Sequence, residues 1–254
     1  MDLGLKGKSV LITGGSKGIG RATAETLSAE GCNLHLAARD ETQLRETQKK
    51  IESKHRVSVT LHPVDLSIGD HARKLAAACK DIDILVNNAG AIPRGNLWQI
   101  DEAQWREAWD LKVFGYINLT RAVYDRMRAR GKGVIVNVIG AAGQRPLPDY
   151  IAGGTGNAAL MAFTTAMGGK SLRDGIRVVA INPGLIKTQR LEALLRSVAQ
   201  AKFKDADRWQ DLMPSDPPPG DPEDVARLVA FLASDCAKFI TGTVVTIDGG
   251  YSAT

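Results

Sequence analysis

Short apolar runs alternate with longer amphipathic stretches along the first 185 residues of the chain. The runs are nearly continuous Val, Ile and Leu rather than strictly alternating, a pattern typical of strands buried on both faces of a parallel sheet. Strands are predicted at 9–14, 33–39, 57–65, 82–90, 133–140 and 176–184, with a last one within 242–250. Amphipathic periodicity predicts helices in the stretches between them, at 18–30, 41–54, 102–130 and 157–173.

Repeated strand–helix–strand units require right-handed crossovers, which place helices on both faces of one sheet. The sequence therefore predicts a single α/β domain over residues 1–254, with a doubly wound, mostly parallel, seven-stranded sheet of the Rossmann type. Residues 188–222 depart from this rhythm, because a helical stretch runs into the Pro-rich segment "MPSDPPPGDP". We expect this segment to form a mobile substrate flap at the carboxyl edge of the sheet.

Charge and cysteine usage narrow the class of protein. The formal charge is +5, but the basic residues are scattered, so nucleic-acid binding has little support and a phosphorylated small molecule suits the surface better. Cys32, Cys79 and Cys236 are far apart and odd in number, which predicts neither a disulfide framework nor a CxxC metal site. No 18-residue apolar segment occurs, so we expect a cytoplasmic protein without a membrane span or a metal.

A glycine-rich turn, "TGGSKGIGR" at 13–21, follows the first strand and opens a helix. Gly14, Gly18 and Gly20 would allow a tight turn and a close approach of backbone amides to a pyrophosphate at the helix N-terminus. The turn residues Ser16, Lys17 and Ile19 would line the same site. Glycine turns also occur for purely structural reasons, and that alternative stays open for the turn taken alone.

Further motifs follow the other strands in a fixed order: "HPVDLS" at 62–67, "NNAG" at 87–90, "NPG" at 182–184 and "TGTVVTIDGG" at 241–250. Together with the T-G-x-x-x-G-x-G turn, they make the chain resemble the short-chain dehydrogenase/reductase family over essentially its full length. The resemblance implies a bound nicotinamide dinucleotide. It also implies further cofactor-binding positions at Asp65, Leu66, Asn88, Ala89, Gly90, Asn157, Pro183, Gly184, Ile186 and Thr188.

Four of these positions carry specific implied roles. Asp65 would bond the adenine ring, and Asn88 would hold the fourth strand and the ribose region. Ile186 and Thr188 would line and bond the nicotinamide. Simple turn chemistry is the alternative for Asn88.

The choice between the two nicotinamide cofactors depends on charge near the second strand. NAD-using relatives place an acid at its end, whereas this chain has Ala38 followed by Arg39, with Lys17 in the glycine turn and Asp40 one position too late. Two cations favour the 2′-phosphate of NADP(H) through charge-assisted hydrogen bonds. The alternative is that Lys17 and Arg39 are ordinary surface cations.

The proton-handling positions of the family are occupied by other residue types. An ungapped alignment places Gly140 at the usual serine, Gly153 at the tyrosine, Asn157 at the lysine and Lys112 at the asparagine. Glycine has no proton to give, and an amide supplies no cationic field. The sequence is therefore interpreted as a family member that lacks the usual Ser-Tyr-Lys residues.

Two substitutes are considered beside Asn157. Tyr150 lies seven residues before Asn157, a spacing that resembles Tyr-x6-Lys in enoyl-thioester reductases, although the lysine is missing. Lys112 could extend its ammonium into space left open by Gly140 and Gly153 and act as an acid or electrostatic clamp. The alternatives are a packing role for Tyr150 and a surface position for Lys112.

The run "GGTGN" at 153–157 is costly at a helix start, at roughly 1 kcal/mol per interior glycine. We interpret it as a close approach of a ligand or of backbone, with Thr155 and Asn157 offering polar contacts.

Two hypotheses about function follow. The first is an NADP(H)-dependent oxidoreductase that moves a hydride to or from a carbonyl, an alcohol or an activated alkene, such as an acyl-thioester. The second is a catalytically inactive NADP(H)-binding sensor or partner subunit. The resemblance also implies a homodimer or homotetramer, with the helices near 102–130 and 157–173 at one interface.

Overall fold

The sheet of the computed structural model, which describes residues 1–253, has seven strands, all paired in parallel. They are β1 (Ser9–Thr13), β2 (Asn33–Ala38), β3 (Val59–Pro63), β4 (Ile84–Asn87), β5 (Gly133–Val138), β6 (Ile176–Pro183) and β7 (Val244–Ile247). Their order is β3-β2-β1-β4-β5-β6-β7, and Val10 pairs with Leu34 on one side and Ile84 on the other. The strand order thus reverses between β1 and β4: β2 and β3 lie on one side of β1, and β4 to β7 lie on the other. Ligands bind at such a point in folds of this type.

Eight α-helices connect and cover the strands. They are α1 (Gly18–Ala29), α2 (Glu41–Glu52), α3 (Gly69–Ala78), α4 (Glu102–Trp109), α5 (Gly115–Arg130), α6 (Ile151–Ser171), α7 (Gln189–Phe203) and α8 (Pro222–Ala233). A π-helical turn, Asp110–Phe114, joins α4 to α5. No helix of residues 1–253 is both long enough and apolar enough to cross a bilayer.

Both faces of the sheet are buried, which confirms the interpretation of the continuous apolar runs. Successive residues of β1 belong to different cores: Val10 and Ile12 pack with Leu27 of α1, whereas Leu11 packs with Leu119 of α5. All five side chains are fully buried. The predicted doubly wound fold is therefore confirmed.

Two helix boundaries near the residues predicted to be catalytic differ from the expectation: the start of α6 and the junction between α4 and α5. The helix expected from 157 begins at Ile151, so the glycine run lies inside the first turns of α6. The helix expected over 102–130 is interrupted by the π-helical turn, which contains Lys112. Residues 188–222 contain α7 and a 3₁₀ segment, Ala206–Leu212, before α8. Its role as a flap stays a prediction.

Candidate cofactor and active site

The turn between β1 and α1 can be built only with glycine. Gly14 and Gly18 have φ of +67° and +53°, in the left-handed region. A Cβ on Gly20 would lie 2.1 Å from the Gly14 carbonyl oxygen, so α1 can begin this close to β1 only because Gly20 has no side chain. Ser16, between these glycines, is buried, and its carbonyl accepts a hydrogen bond from Thr47 Oγ1 at 3.2 Å.

The N-terminus of α1 is open toward an anion. Its N-cap residue, Lys17, makes no capping hydrogen bond, and the first turn holds no acidic residue. The helices α2 and α4, in contrast, are capped by a side chain: Asp40 accepts from Gln43 N, and Asp101 accepts from Gln104 N. Free amides and the positive end of the helix dipole together suit a phosphate, so the turn fits a dinucleotide.

Polar bonds fix the end of β4 against the glycine turn. Thr13 Oγ1 accepts from the backbone amides of Asn88 and Ala89 at 2.9 and 3.0 Å, while Asn88 Nδ2 donates to the Thr13 carbonyl at 3.0 Å. A Cβ on Gly14 would lie 2.8 Å from that same amide nitrogen. Asn88 therefore holds β4 to β1, which is one of its two implied roles. Its other implied role, at the cofactor ribose, stays a prediction.

The two cations expected to select NADP(H) are both on the surface. Lys17 and Arg39 are exposed, at the turn after β1 and just after β2. The carboxylate of Asp40 caps α2, with Oδ1 accepting from Gln43 N at 3.0 Å. Burial opposes ionisation of Asp65, but hydrogen bonds from Ser67 and the nearby charge of Arg39 outweigh it, so the pKa of Asp65 is lowered.

Leu66, another expected cofactor contact, has its side chain in the core at 4% exposure, which leaves only its backbone for a ligand.

The segment after β6 returns to the glycine turn. Pro183 ends the strand, and Gly184 is required there because a Cβ would lie 2.7 Å from Asp248 Cβ. Thr188 then caps α7. A Cβ on Gly18 would lie 3.3 Å from Thr188 Cγ2. The structure therefore brings the base of the expected flap onto the predicted pyrophosphate turn. Ile186, which is 8% exposed, lies just before this contact.

Lys112 is not a surface charge. Its residue is 8% exposed, its alkyl chain packs on Gly90, and its Nζ donates to the Ile139 carbonyl at 2.6 Å. Burial and, to a smaller extent, the charge of Arg190 lower the pKa of Lys112 to about 7. An ammonium that titrates near neutrality can act as an acid or a base, and such groups cluster at functional sites.

Asn157 faces the same Ile139–Gly140 turn as Lys112. Its Nδ2 donates to the Gly140 carbonyl at 3.3 Å, and its buried Oδ1 has no hydrogen-bond partner. Gly140 has a φ of +140°, and a Cβ there would lie 2.9 Å from Asn157 Nδ2. A buried acceptor without a donor is uncommon in folded proteins, and it suits the hydroxyl or amide of a ligand.

The glycines at 140 and 153 do not leave an open space, contrary to the expectation. The ring of Tyr150 lies over Gly153, where a Cβ would be 2.1 Å from Tyr150 Cζ, and the amide of Asn157 occupies the space at Gly140. Packing is also tight at Gly156, where a Cβ would lie 3.1 Å from the Trp109 indole nitrogen. The glycine run is therefore explained by packing around α6.

Thr155, which was expected to offer a ligand contact, donates to the Ile151 carbonyl of its own helix at 2.8 Å.

Arg190 is a residue of this site that the sequence did not reveal. From α7 it donates to the carbonyls of Gly90 and Ile92, at 3.3 and 2.7 Å, and to Tyr150 Oη at 3.3 Å. It thus links the flap helix to the loop after β4 and to the expected catalytic tyrosine. No local sequence signal marks it, because its partners are 40 to 100 residues away in the chain.

Known proteins resemble this chain along nearly its whole length. A family model described as enoyl-(acyl carrier protein) reductase matches residues 14–252. A 2-keto-3-deoxy-L-fuconate dehydrogenase of Xanthomonas campestris is 32% identical over 98% of this chain and 81% of its own length. An acetoacetyl-CoA reductase of Rhizobium meliloti is also 32% identical, over 94% and 96% of the two chains.

Solved structures agree with the sequence comparison. The L-sorbose reductase of Gluconobacter frateurii, complexed with NADPH and L-sorbose, superposes with a TM-score of 0.93 at 31% identity, covering all of both chains. Fold and relatives together define a nicotinamide-dependent oxidoreductase with a doubly wound sheet. The chain belongs to the short-chain dehydrogenase/reductase family.

Proposed function

We propose that this protein is an NADP(H)-dependent oxidoreductase in which Lys112 handles the proton at a non-standard active site. The observation that carries the proposal is the buried Lys112 ammonium, with its pKa lowered to about 7, beside the Ile139–Gly140 turn. The resemblance to the family implies that Gly140, Gly153 and Asn157 stand where serine, tyrosine and lysine are usual. Lys112 is then the titratable group left among the aligned proton-handling positions.

The cofactor would lie along the glycine turn, with its phosphates at the open N-terminus of α1. Lys17 and Arg39 would hold the 2′-phosphate, and Asn157 Oδ1 would accept a hydrogen bond near the nicotinamide end. When bound, the cofactor supplies or accepts the hydride. Support for NADP(H) over NAD(H) comes from these cations and from the NADPH complex of the similar L-sorbose reductase.

Lys112 would donate a proton to the oxygen of a carbonyl or thioester during reduction and accept it during oxidation. A pKa near the working pH makes both forms available, the condition under which general acid–base catalysis is efficient. The Arg190 guanidinium, which contacts Tyr150 Oη, would position the tyrosine and help stabilise negative charge on the substrate oxygen. Substrates of this class are small molecules with a carbonyl, alcohol or activated alkene.

The alternative is an inactive NADP(H)-binding sensor or partner subunit. Two contacts favour it. Lys112 Nζ already donates to a backbone carbonyl, and the Tyr150 ring fills the space over Gly153. In that case the site would bind cofactor without transferring a hydride.

Self-association is part of the proposal, because α6 is apolar on its exposed face as well. Its exposed positions include four alanines: Ala158, Ala159, Ala162 and Ala166. Phe114, at the junction between the π-helical turn and α5, is 48% exposed. Small apolar side chains exposed side by side allow a second helix to pack closely, although Thr155, Thr165 and Lys170 are exposed on α6 as well, and this surface suits a homodimer or homotetramer.

The first experiment measures NADPH and NADH binding by calorimetry and then turnover on panels of carbonyl compounds and enoyl-thioesters. We expect NADPH to bind more tightly than NADH, and turnover to fall by about 10²–10⁴-fold in Lys112→Met. Lys170→Met, which removes an exposed lysine at the end of α6, is the control.

Tight NADPH binding without turnover on either panel would support the inactive alternative. Turnover that survives in Lys112→Met would refute the role of Lys112, and failure to bind either nucleotide would refute the whole proposal.

A further inference from the structure

A second group of chemically reactive side chains lies outside the cofactor site. His35 is on β2, His62 is on the edge strand β3, and Cys79 follows the last turn of α3. The three residues are distant in sequence, but their side chains meet on the sheet face that α3 covers. Cys79 packs there with Leu75 and Ile82 in the core beneath α3.

The three ligand atoms form a nearly equilateral triangle. His35 Nδ1 and His62 Nε2 are 3.0 Å apart, and Cys79 Sγ is 3.5 and 3.4 Å from them. Zinc bound to nitrogen and sulfur at about 2.0–2.3 Å in a tetrahedron separates its ligand atoms by roughly 3.3–3.6 Å. A point equidistant from the three atoms lies about 1.9 Å from each. To bind zinc there, the triangle must widen slightly and both imidazoles must turn their nitrogens toward the ion.

The two imidazoles face each other through their nitrogens. With Nδ1 and Nε2 3.0 Å apart, ring centroids 5.3 Å apart and an interplanar angle of 22°, both nitrogens lie close to the line between the centroids, as in an N–H···N hydrogen bond that a bound ion would replace. All three candidate ligand atoms lie within 4.8 Å of one another. Both histidines are partly exposed, whereas Cys79 is buried, so an ion could reach the triangle from solvent.

The protonation states of the histidines suit a metal. Burial lowers the pKa of His35, and burial together with His35 lowers the pKa of His62, so both rings are neutral ligands near pH 7. Burial raises the pKa of Cys79 to about 12. The thiol must therefore lose its proton when the metal binds, and that proton passes to solvent.

We propose that His35 Nδ1, His62 Nε2 and Cys79 Sγ bind one Zn²⁺, with water in the fourth position. The donor set is the mixed nitrogen and thiolate set that zinc prefers. A bound ion would join the edge strand β3 to β2 and to the end of α3, so it stabilises one end of the sheet. The proposal is independent of the proposed oxidoreductase function.

The test uses metal-free full-length protein titrated with Zn²⁺ against a chromophoric chelator, and with Co²⁺ as a spectroscopic probe. We expect one Zn²⁺ per chain, release of about one proton per ion, and a thiolate-to-cobalt charge-transfer band. Zinc should also raise the melting temperature, because it binds only the folded arrangement. Absence of the charge-transfer band in the wild-type protein would overturn the proposal without any variant.

Variants assign the ligands. Cys79→Ser and His62→Gln should each weaken Zn²⁺ binding on the order of 100-fold, whereas Cys236→Ser, which removes the exposed cysteine, should not. Circular dichroism checks that each variant is folded. Equal affinity in Cys79→Ser and the wild type would show that the triangle is only a packed, hydrogen-bonded cluster.

Discussion

Lys112 and Asn157 donate hydrogen bonds to adjacent carbonyls of one turn, Lys112 Nζ to Ile139 at 2.6 Å and Asn157 Nδ2 to Gly140 at 3.3 Å. The lysine comes from the π-helical turn before α5 and the asparagine from α6. The resemblance to the family implies an asparagine at position 112 and a lysine at position 157. On that expectation the two residue types are exchanged between the helices, while both still face the end of β5.

The burial of Lys112 has a measurable effect on folding. The ordinary lysine pKa of 10.5 is lowered to about 7 in the native state, so between these values the unfolded chain binds more protons. The contribution of Lys112 to stability should therefore rise with pH above about 7, by about 1 kcal/mol per pH unit. The net rise is expected between about pH 7 and 9, because above about pH 9 the thiols of Cys32 and Cys79, whose pKa is raised by burial to about 12, act in the opposite direction.

Urea unfolding of the wild type and Lys112→Met across this range tests the point. Lys112→Met should lose the rise of stability with pH, and Lys170→Met should keep it. Parallel pH profiles for the wild type and Lys112→Met would contradict a lowered pKa.

Arg190 should tune Lys112 electrostatically. Its positive charge is one of the causes that lower the pKa of Lys112, so Arg190→Gln should raise this pKa. If Lys112 acts as the acid, the alkaline limb of the pH–rate profile then moves to higher pH. Arg196→Gln, on the same helix but paired with Glu192 and Asp207, is the matched control. An unchanged alkaline limb in Arg190→Gln would mean that another group controls the rate.

Cofactor selection should depend on Lys17 and Arg39. A charge-assisted hydrogen bond contributes about 1.5–3 kcal/mol, so Lys17→Ala and Arg39→Ala should each weaken NADPH binding by roughly 10–100-fold. NADH binding should hardly change, because NADH lacks the 2′-phosphate. Arg45→Ala removes a nearby exposed cation that pairs with Glu41 and serves as control. Equal losses for the two nucleotides would argue against 2′-phosphate recognition.

The contact between Tyr150 and Gly153 predicts that Gly153→Ala has opposite effects on stability with and without the tyrosine ring. Gly153→Ala should destabilise the protein by about 1–3 kcal/mol, because the new methyl group collides with the Tyr150 ring. In a Tyr150→Ala background the same substitution should stabilise α6 by up to about 1 kcal/mol through helix propensity.

Gly169→Ala, where a Cβ meets nothing within 4 Å, should be stabilising in either background. Thermal denaturation of the single and double variants measures the coupling. If Gly153→Ala has the same effect with and without the ring, the observed packing is wrong.

The sheet could be predicted because burial on both faces leaves a direct signature, continuous Val and Ile runs bounded by turns. The start of α6 could not, since Gly153, Gly154 and Gly156 resemble helix breakers until the ring of Tyr150 and the indole of Trp109 are seen against them. Tertiary contact outweighs the low helix propensity of glycine there.

Some residues of the candidate sites could likewise be predicted from sequence, and others could not. The glycine turn and Asn88 follow from local motifs, whose spacing is fixed by strand ends. Arg190 and the triangle of His35, His62 and Cys79 depend on contacts between residues 17 to 100 positions apart, and no window of sequence contains them. The burial of Lys112 likewise depends on the packing of its alkyl chain on Gly90.

Thr188 connects nucleotide binding at the glycine turn with the start of the predicted flap. Because this first residue of the flap segment packs on Gly18, a dinucleotide lying along the turn also forms part of the surface on which α7 begins. We expect the predicted flap to make part of its contacts with a nucleotide bound in this turn. Steady-state kinetics should then show a compulsory order, in which the nucleotide enters first and leaves last.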